Sequence, residues 1–163
     1  MSNHYDGWKN VEAGLLAWIR TKISGSDEDN SFAGEPPSTF DNTNENWYWW
    51  VDVSGGDEPV DEFNVDTPGG CGEWRMHVLF KGVYETRAAA QVHAGYLHLY
   101  TPITDTTITG VTRFTARGEP TLGRGIVEQK KDQSTGGPLR VWVLEYPFEV
   151  IFQPTVVDGT VVT

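Results

Sequence analysis

The sequence has one cysteine, no long apolar run, and no lysine or arginine between Lys22 and Arg75. A single cysteine excludes an intrachain disulfide, and Cys71 lacks the neighbouring cysteines or histidines of a zinc site. No stretch approaches the roughly 18 apolar residues that cross a bilayer, and the N-terminal residues lack the apolar segment of a signal peptide. These absences predict a chain that folds in a reducing cytoplasm and has no membrane segment.

The negative charge is concentrated in the first half of the chain. Of the 23 acidic residues, 14 lie in residues 1–70 beside only 3 basic ones, whereas residues 71–163 hold 9 of each. The net charge of −11 therefore belongs to the first half. Such a run is usually a solvated segment, and the alternative is a surface that repels polyanions or meets a basic partner. Because lysine and arginine are not clustered, we expect no specific binding of nucleic acid.

Two segments have the periodicity of amphipathic helices. In residues 10–25, Asn10 is placed to cap the first turn, and apolar residues recur every three or four positions. A second helix is predicted over residues 85–100, before Pro102. The predicted inner stripes are Val11, Leu15, Trp18, Ile19 and Ile23 in the first helix, and Ala89, Val92, Tyr96, Leu99 and Tyr100 in the second. Residues 24–46 are acidic and are predicted to form a loop that is flexible or has a function of its own.

Residues 46–50 read NWYWW and place four aromatic side chains in five positions. Aromatic residues favour a strand, in which successive side chains point to opposite faces. Trp47 and Trp49 then share one face, while Tyr48 and Trp50 share the other. The cluster is therefore two pairs and not the single platform that would stack a sugar. We expect one pair in the helix-covered core and the other on the open side, where a subunit interface would cover it.

Three further segments have the alternation of strands. Residues 74–84 alternate most clearly, residues 106–116 predict a third strand, and residues 126–152 predict a hairpin with a polar turn. Pro147 lacks the N–H group that a central strand requires, which predicts an edge strand or a bulge at this position.

The length and the 38% hydrophobic content predict a single domain over residues 1–163. Its predicted class is α+β: a mostly antiparallel β-sheet with two α-helices packed on one face and a projecting β-hairpin. Residues 153–163 are expected to form a C-terminal extension.

No arrangement of catalytic or metal-binding residues stands out. His93 and His98 lie about 140° apart around a helix, too far to share a metal ion. Neither a Gly-x-Ser-x-Gly motif nor a glycine-rich phosphate motif occurs. Acidic residues are plentiful, but an acid–base pair needs a rigid placement that solvated loops do not supply. We therefore expect no catalytic residue, no cofactor and no metal ion, and a role in binding or assembly.

Two short motifs fit this order of helices and strands. The first ends a hydrophobic strand and opens the second helix, and the other precedes the final hairpin. The residues are Lys81, Gly82, Glu85, Arg87 and Ala88 in the first motif, and Pro120, Leu122, Gly123 and Arg124 in the other. In these features, over about two thirds of its length, the chain resembles the tail terminator (tail completion) proteins of long-tailed bacteriophages. It departs from them at Gly125, where aspartate is common, in the acidic segment 24–46, and in its last ten residues.

The resemblance implies a structural protein of the virion tail or neck that is assembled in the cytoplasm of the host. Copies of the chain would form a ring, usually a hexamer, that caps the tail tube, ends tail growth and offers a surface to the head–tail connector. DNA would pass through the ring without specific contacts, since a negative lumen or rim would repel it. The alternatives are another neck, baseplate or head-completion subunit, and an aromatic-rich carbohydrate-binding module or small enzyme.

Six residues are candidates for contacts with other subunits or with the tube. They are Trp47, Trp49, Arg124, Lys130, Lys131 and Arg140. The two tryptophans belong to the aromatic strand, and the four basic residues belong to the predicted hairpin and the segment leading into it. Arg124, Lys130 and Lys131 are expected to pair with acidic residues of a neighbour, the alternative being ordinary surface charges.

Overall fold

The structure is a computed structural model of the chain. It describes residues 4–37, 39–40, 46–59, 74–100, 108, 111, 113–131, 136–152, 155–157 and 160–162. The two helices among these residues are α1 (His4–Lys22) and α2 (Arg87–Tyr100). The strands are β1 (Ser31–Ala33), β2 (Trp47–Pro59), β3 (Trp74–Tyr84), β4 (Arg113–Ala116), β5 (Thr121–Lys131), β6 (Pro138–Phe152), β7 (Thr155–Val157) and β8 (Thr160–Val162).

Six strands form one sheet, and the predicted α+β class is confirmed. The order is β1-β2-β3-β6, and both β4 and β5 pair with the other side of β6. All pairs are antiparallel except β1 with β2, which run parallel. The β5–β6 hairpin projects, since β6 begins at Pro138 while its pairing with β3 begins only at Trp142. In the C-terminal residues, β7 and β8 form a separate two-stranded hairpin near α1.

The main core lies between the two helices and one face of the sheet. Every residue of the predicted inner stripe of α1 is buried, which confirms that prediction. The sheet contributes alternate residues of its strands, as the period of two requires. The largest buried sheet residues on this face are Trp49, Phe80, Tyr84, Phe114, Tyr146, Phe148 and Phe152. α1 itself begins at His4, so Asn10 lies inside the helix and the predicted cap at Asn10 is wrong.

The predicted inner stripe of α2 is wrong. The helix buries Ala90, His93 and Leu97 against the sheet, whereas the predicted Val92 and Leu99 are 51% and 72% exposed. The side chain of Tyr100 lies outside the described part. Both sets recur at helical spacing, so periodicity could not choose between them. The buried set includes His93, whose hydrogen-bond partner Tyr84 lies on another element.

β6 is an inner strand, so the prediction of an edge or a bulge at Pro147 is wrong. On one side, Pro147 stands opposite Leu79 of β3 in an unbroken register. On the other side, β6 pairs with β5 up to Glu145 and with β4 from Phe148 onward. The Pro147 carbonyl accepts a hydrogen bond from the backbone N–H of Arg117 on this side. The missing N–H group therefore points into the junction between two strands, where no ladder bond is lost.

The face opposite the helices is partly covered by the chain itself. Tyr48 and Trp50 are 1% and 8% exposed, in a second cluster with Val83 and Val141. Phe32 on β1 and Phe40 pack over them, and the rings of Phe40 and Tyr48 lie 5.1 Å apart between centroids. The expectation that this pair needs a subunit interface to cover it is therefore wrong. The cover comes from residues 24–46, predicted to be loop; its residues 38 and 41–45 lie outside the described part.

Candidate assembly surfaces

One row of residues crosses the helix-covered face of the sheet near the start of α2. Trp47 stands opposite Tyr84, Tyr84 opposite Trp142, and Trp142 opposite Arg124. Directly opposite residues project from the same face, so their side chains are neighbours. The row thus joins three aromatic residues to an arginine at the hairpin edge.

A buried polar pair fixes α2 over this row. The hydroxyl of Tyr84 and Nδ1 of His93 lie 2.8 Å apart and share a hydrogen bond. Burial lowers the pKa of His93 to about 4 and raises the pKa of Tyr84, so both groups are neutral at pH 7. The Trp47 ring meets the His93 ring edge-on, with 4.5 Å between centroids. Trp47 is half-buried in this contact, so only part of its ring is available to a neighbour.

Trp49 has no surface for a contact with another subunit. Its side chain is 0% exposed, its ring packs on Phe80, and its Nε1–H donates a hydrogen bond of 2.9 Å to the Ser26 hydroxyl. The candidate role of Trp49 in a subunit or tube contact is therefore wrong. The residue faces the helices, and the interior of the chain uses the whole ring.

Three arginines cluster where the hairpin meets the start of α2, and we call them the arginine patch: Arg87, Arg124 and Arg140. The guanidinium carbons of Arg124 and Arg87 lie 4.9 and 5.8 Å from the centroid of the Trp142 ring. Arg140 precedes Trp142 by two residues on β6 and is diagonal to Arg124, so it shares their face. All three side chains are exposed. None of them forms a salt bridge with a carboxylate in the described part of the chain.

The patch contains two of the candidate residues and one that the sequence did not single out as a contact. Arg124 and Arg140 were candidates because they flank the hairpin, and the register brings them together. Arg87 was noted only as a helix-opening residue, since its proximity to Trp142 depends on how α2 packs on the sheet. Lys130 and Lys131 lie on β5, but their side chains are outside the described part, and their pairing with a neighbour stays a prediction.

The outer side of α2 carries an apolar stripe. Val92, Tyr96 and Leu99 are 51%, 39% and 72% exposed, and their spacing of four and three residues aligns them along the helix. From Ala88 to Tyr100, the helix contains no aspartate, glutamate, lysine or arginine. We call these three residues the α2 stripe. They are the exposed large hydrophobic side chains found in the described part of the chain.

Other kinds of site were also sought among the described residues. They contain no group of three or more histidine, cysteine or acidic side chains placed to hold a metal ion. Neither helix found there is long and apolar enough to cross a membrane. Cys71 lies outside the described residues. The burial of Tyr48 and Trp50 leaves these two rings unavailable for stacking a sugar.

Comparison with known proteins gives no assignment. No protein-family model matches the chain, and no curated protein matches it.

Proposed function

We propose that this chain is a structural protein of a bacteriophage tail, and that copies of it form a ring that caps the tail tube. The ring ends tail growth and offers the surface that joins the tail to the head connector. The observation that carries the proposal is the α2 stripe, an uncharged apolar surface in a chain with a net charge of −11. A contiguous apolar surface of this kind is typical of a site that another protein covers.

The position of the stripe favours the tail tube as the protein that covers it. α2 packs on β3 and β6 with its other side, so the stripe faces away from the sheet. The edges of the sheet lie at its sides and not on the face that α2 covers, and unpaired strand edges are natural contacts between neighbouring copies. The outer face of the helices is then left to a different subunit. The tube end, which the ring closes, is that subunit in this proposal.

The order of elements supports the resemblance to tail terminator proteins. β3 carries Lys81 and Gly82 near its end and is followed directly by α2, which opens at Arg87. Pro120 directly precedes β5, and Leu122, Gly123 and Arg124 lie in the first residues of that strand, where the second motif implies a loop. The support therefore comes from the first motif, at the junction of β3 and α2.

The charge distribution fits a passage for DNA. Residues 1–70 carry most of the negative charge, and like charge would keep the phosphate backbone from adhering to the ring. In this proposal the protein belongs to the tail or neck of the virion, and its partners are its own copies, the tube protein and the connector.

A test combines the chain with tail tubes of the phage that encodes it. We expect electron microscopy to reveal rings at tube ends, and tube growth to stop when the protein is present. Leu99→Ser removes the most exposed residue of the stripe. We expect it to change the free energy of unfolding by no more than about 0.5 kcal/mol, and to weaken capping about tenfold or more, since burial of a leucine contributes roughly 1.5–3 kcal/mol.

The matched control is Gln91→Ser, which changes an exposed polar residue on the same helix. We expect it to leave capping unchanged. A protein that stays monomeric, and that binds no tube end with or without the substitution, would contradict the proposed function.

A further inference from the structure

The two edges of the sheet carry opposite charges toward one end of the sheet. The edge at β1 is acidic there, and the edge at β5 is basic. In one row across the sheet, Ser31 of β1 and Leu122 of β5 occupy the same level through Trp49, Gly82 and Leu144. Two residues further toward the same end lie Asp29, before β1, and Arg124, on β5. With strands about 4.8 Å apart, four steps separate these edges by roughly 19 Å. The turn before β1, whose Glu28 and Asp29 we call the acidic turn, and the arginine patch therefore lie toward the same end of one sheet, at its opposite edges.

The acidic turn is held in a fixed shape. The Asn30 side chain is 5% exposed; its Nδ2 donates to the Gly25 carbonyl and its Oδ1 accepts from the Asp27 N–H, both at 2.9 Å. Nε of Arg20 donates a 2.7 Å hydrogen bond to the Ser31 hydroxyl, which anchors the turn to α1. Gly25 has a φ of 85°, a conformation that glycine adopts at little cost.

This fixed turn presents two carboxylates that no other described residue binds. Glu28 and Asp29 are exposed, and neither carboxylate forms a hydrogen bond or salt bridge with another described residue. Across the sheet, the arginine patch likewise forms no described salt bridge, although Arg75 and Lys81 elsewhere on the sheet do so. Among the described residues, these two complementary sets of charges thus form no salt bridge, and they lie at opposite edges of one sheet.

We propose that the arginine patch of one copy binds the acidic turn of the next copy. Guanidinium groups form paired, charge-assisted hydrogen bonds with carboxylates, and the Trp142 ring holds two of them at the edge of the sheet. Because the two surfaces differ and lie on opposite sides, the contact is head to tail. Repeated contacts of this kind close into a ring when the rotation between copies allows it.

This contact deepens the proposed function and rests on it. Copies with a net charge of −11 repel one another at long range. A basic patch opposite an acidic turn gives one orientation in which two copies attract. The charges thereby select the neighbour and its orientation, while the α2 stripe remains free for the tube.

The test is a charge exchange in the full-length chain, with ring formation followed by light scattering and electron microscopy. One variant carries Arg124→Glu with Arg140→Glu, another carries Glu28→Lys with Asp29→Lys, and a third carries all four substitutions. We expect each two-residue variant to weaken ring assembly about tenfold or more, and the four-residue variant to recover it. The matched control, Arg113→Glu with Arg117→Glu, reverses two exposed arginines on and after β4 and should assemble as the unmodified chain does.

The possible failures of this test are distinct. Rings that form equally well in both two-residue variants would overturn the head-to-tail contact and leave the proposed ring in place. An unmodified chain that forms no ring, alone or with tail tubes, would overturn both proposals. An unmodified monomer that binds duplex DNA through Arg124 and Arg140 would reassign the patch to phosphate groups, and so would also overturn the contact.

Discussion

At the scale of single residues, the structure gives a steric reason why position 82 is glycine. A Cβ atom built there would lie 2.4–2.7 Å from the ring and hydroxyl of Tyr84, which folds back over the glycine. In this position the Tyr84 hydroxyl shares a hydrogen bond of 2.8 Å with Nδ1 of His93 on α2. Glycine is thus needed at position 82 because the tyrosine two residues later occupies the space that a side chain there would fill.

We predict that Gly82→Ala destabilises the protein by about 1–3 kcal/mol, because the methyl group displaces a packed, hydrogen-bonded ring. Chemical denaturation, with unfolding followed by circular dichroism, measures the change. Gly123→Ala is the matched control, since it is also in a strand and a Cβ atom there meets no other residue within 4 Å. Equal stabilities for the two variants would contradict the steric explanation.

The positions of single residues also explain which candidate assembly residues could be predicted from the sequence. Arg124 and Arg140 could be identified because both flank a hairpin, and a hairpin register brings residues of its two strands together. Arg87 could not, since its distance to Trp142 depends on the packing of α2. The candidate role of Trp49 was wrong because tryptophan is common in interfaces as well as in cores.

At the scale of whole elements, the sequence predicted the buried face of a helix or strand where a single apolar periodicity runs along it. α1 has one apolar stripe, and its buried face was predicted correctly; β3 and β6 alternate as expected. α2 has two sets of residues at helical spacing, and periodicity alone does not indicate which of them faces the sheet. β1 has only three residues and lies in an acidic, proline-containing segment, where no propensity signals a strand.

We predict that Phe40→Ala opens the second hydrophobic cluster. The Phe40 ring lies 4.8 Å from that of Phe32 and 5.1 Å from that of Tyr48, so its loss exposes the face of β2 that Phe40 otherwise helps to cover. We expect a destabilisation of about 2–4 kcal/mol and greater quenching of tryptophan fluorescence by acrylamide, since Trp50 lies in the same cluster. Thr39→Ala changes the exposed neighbouring residue and should alter neither quantity. Unchanged quenching in Phe40→Ala would show that the aromatic cover is not needed.

At the scale of the whole molecule, buried His93 and half-buried Glu12 make stability depend on pH in opposite directions. Burial lowers the pKa of His93, so the folded chain resists its protonation. Burial, together with the charge of Asp52, raises the pKa of Glu12, so the folded chain resists its ionisation. Acidification therefore costs stability through His93 and restores some through Glu12. The two contributions can be separated only by variants that remove one group at a time.

The last prediction concerns His93. Its ordinary pKa is 6.5, and in the folded chain it is about 4. Above pH 6.5 both folded and unfolded chains keep it neutral. As the pH falls from 6.5 to about 4, only the unfolded chain binds the proton, and stability decreases by at most about 3 kcal/mol. We expect His93→Gln, which cannot be protonated and can still bond to the Tyr84 hydroxyl, to remove this part of the slope in urea denaturation between pH 4 and pH 7. The control is His98→Gln, which replaces an exposed histidine on the same helix and should keep the part of the slope that His93 causes. A slope that is the same in His93→Gln and in the unmodified chain would mean that His93 accepts its proton in the folded state, and that the Tyr84–His93 pair is open to water.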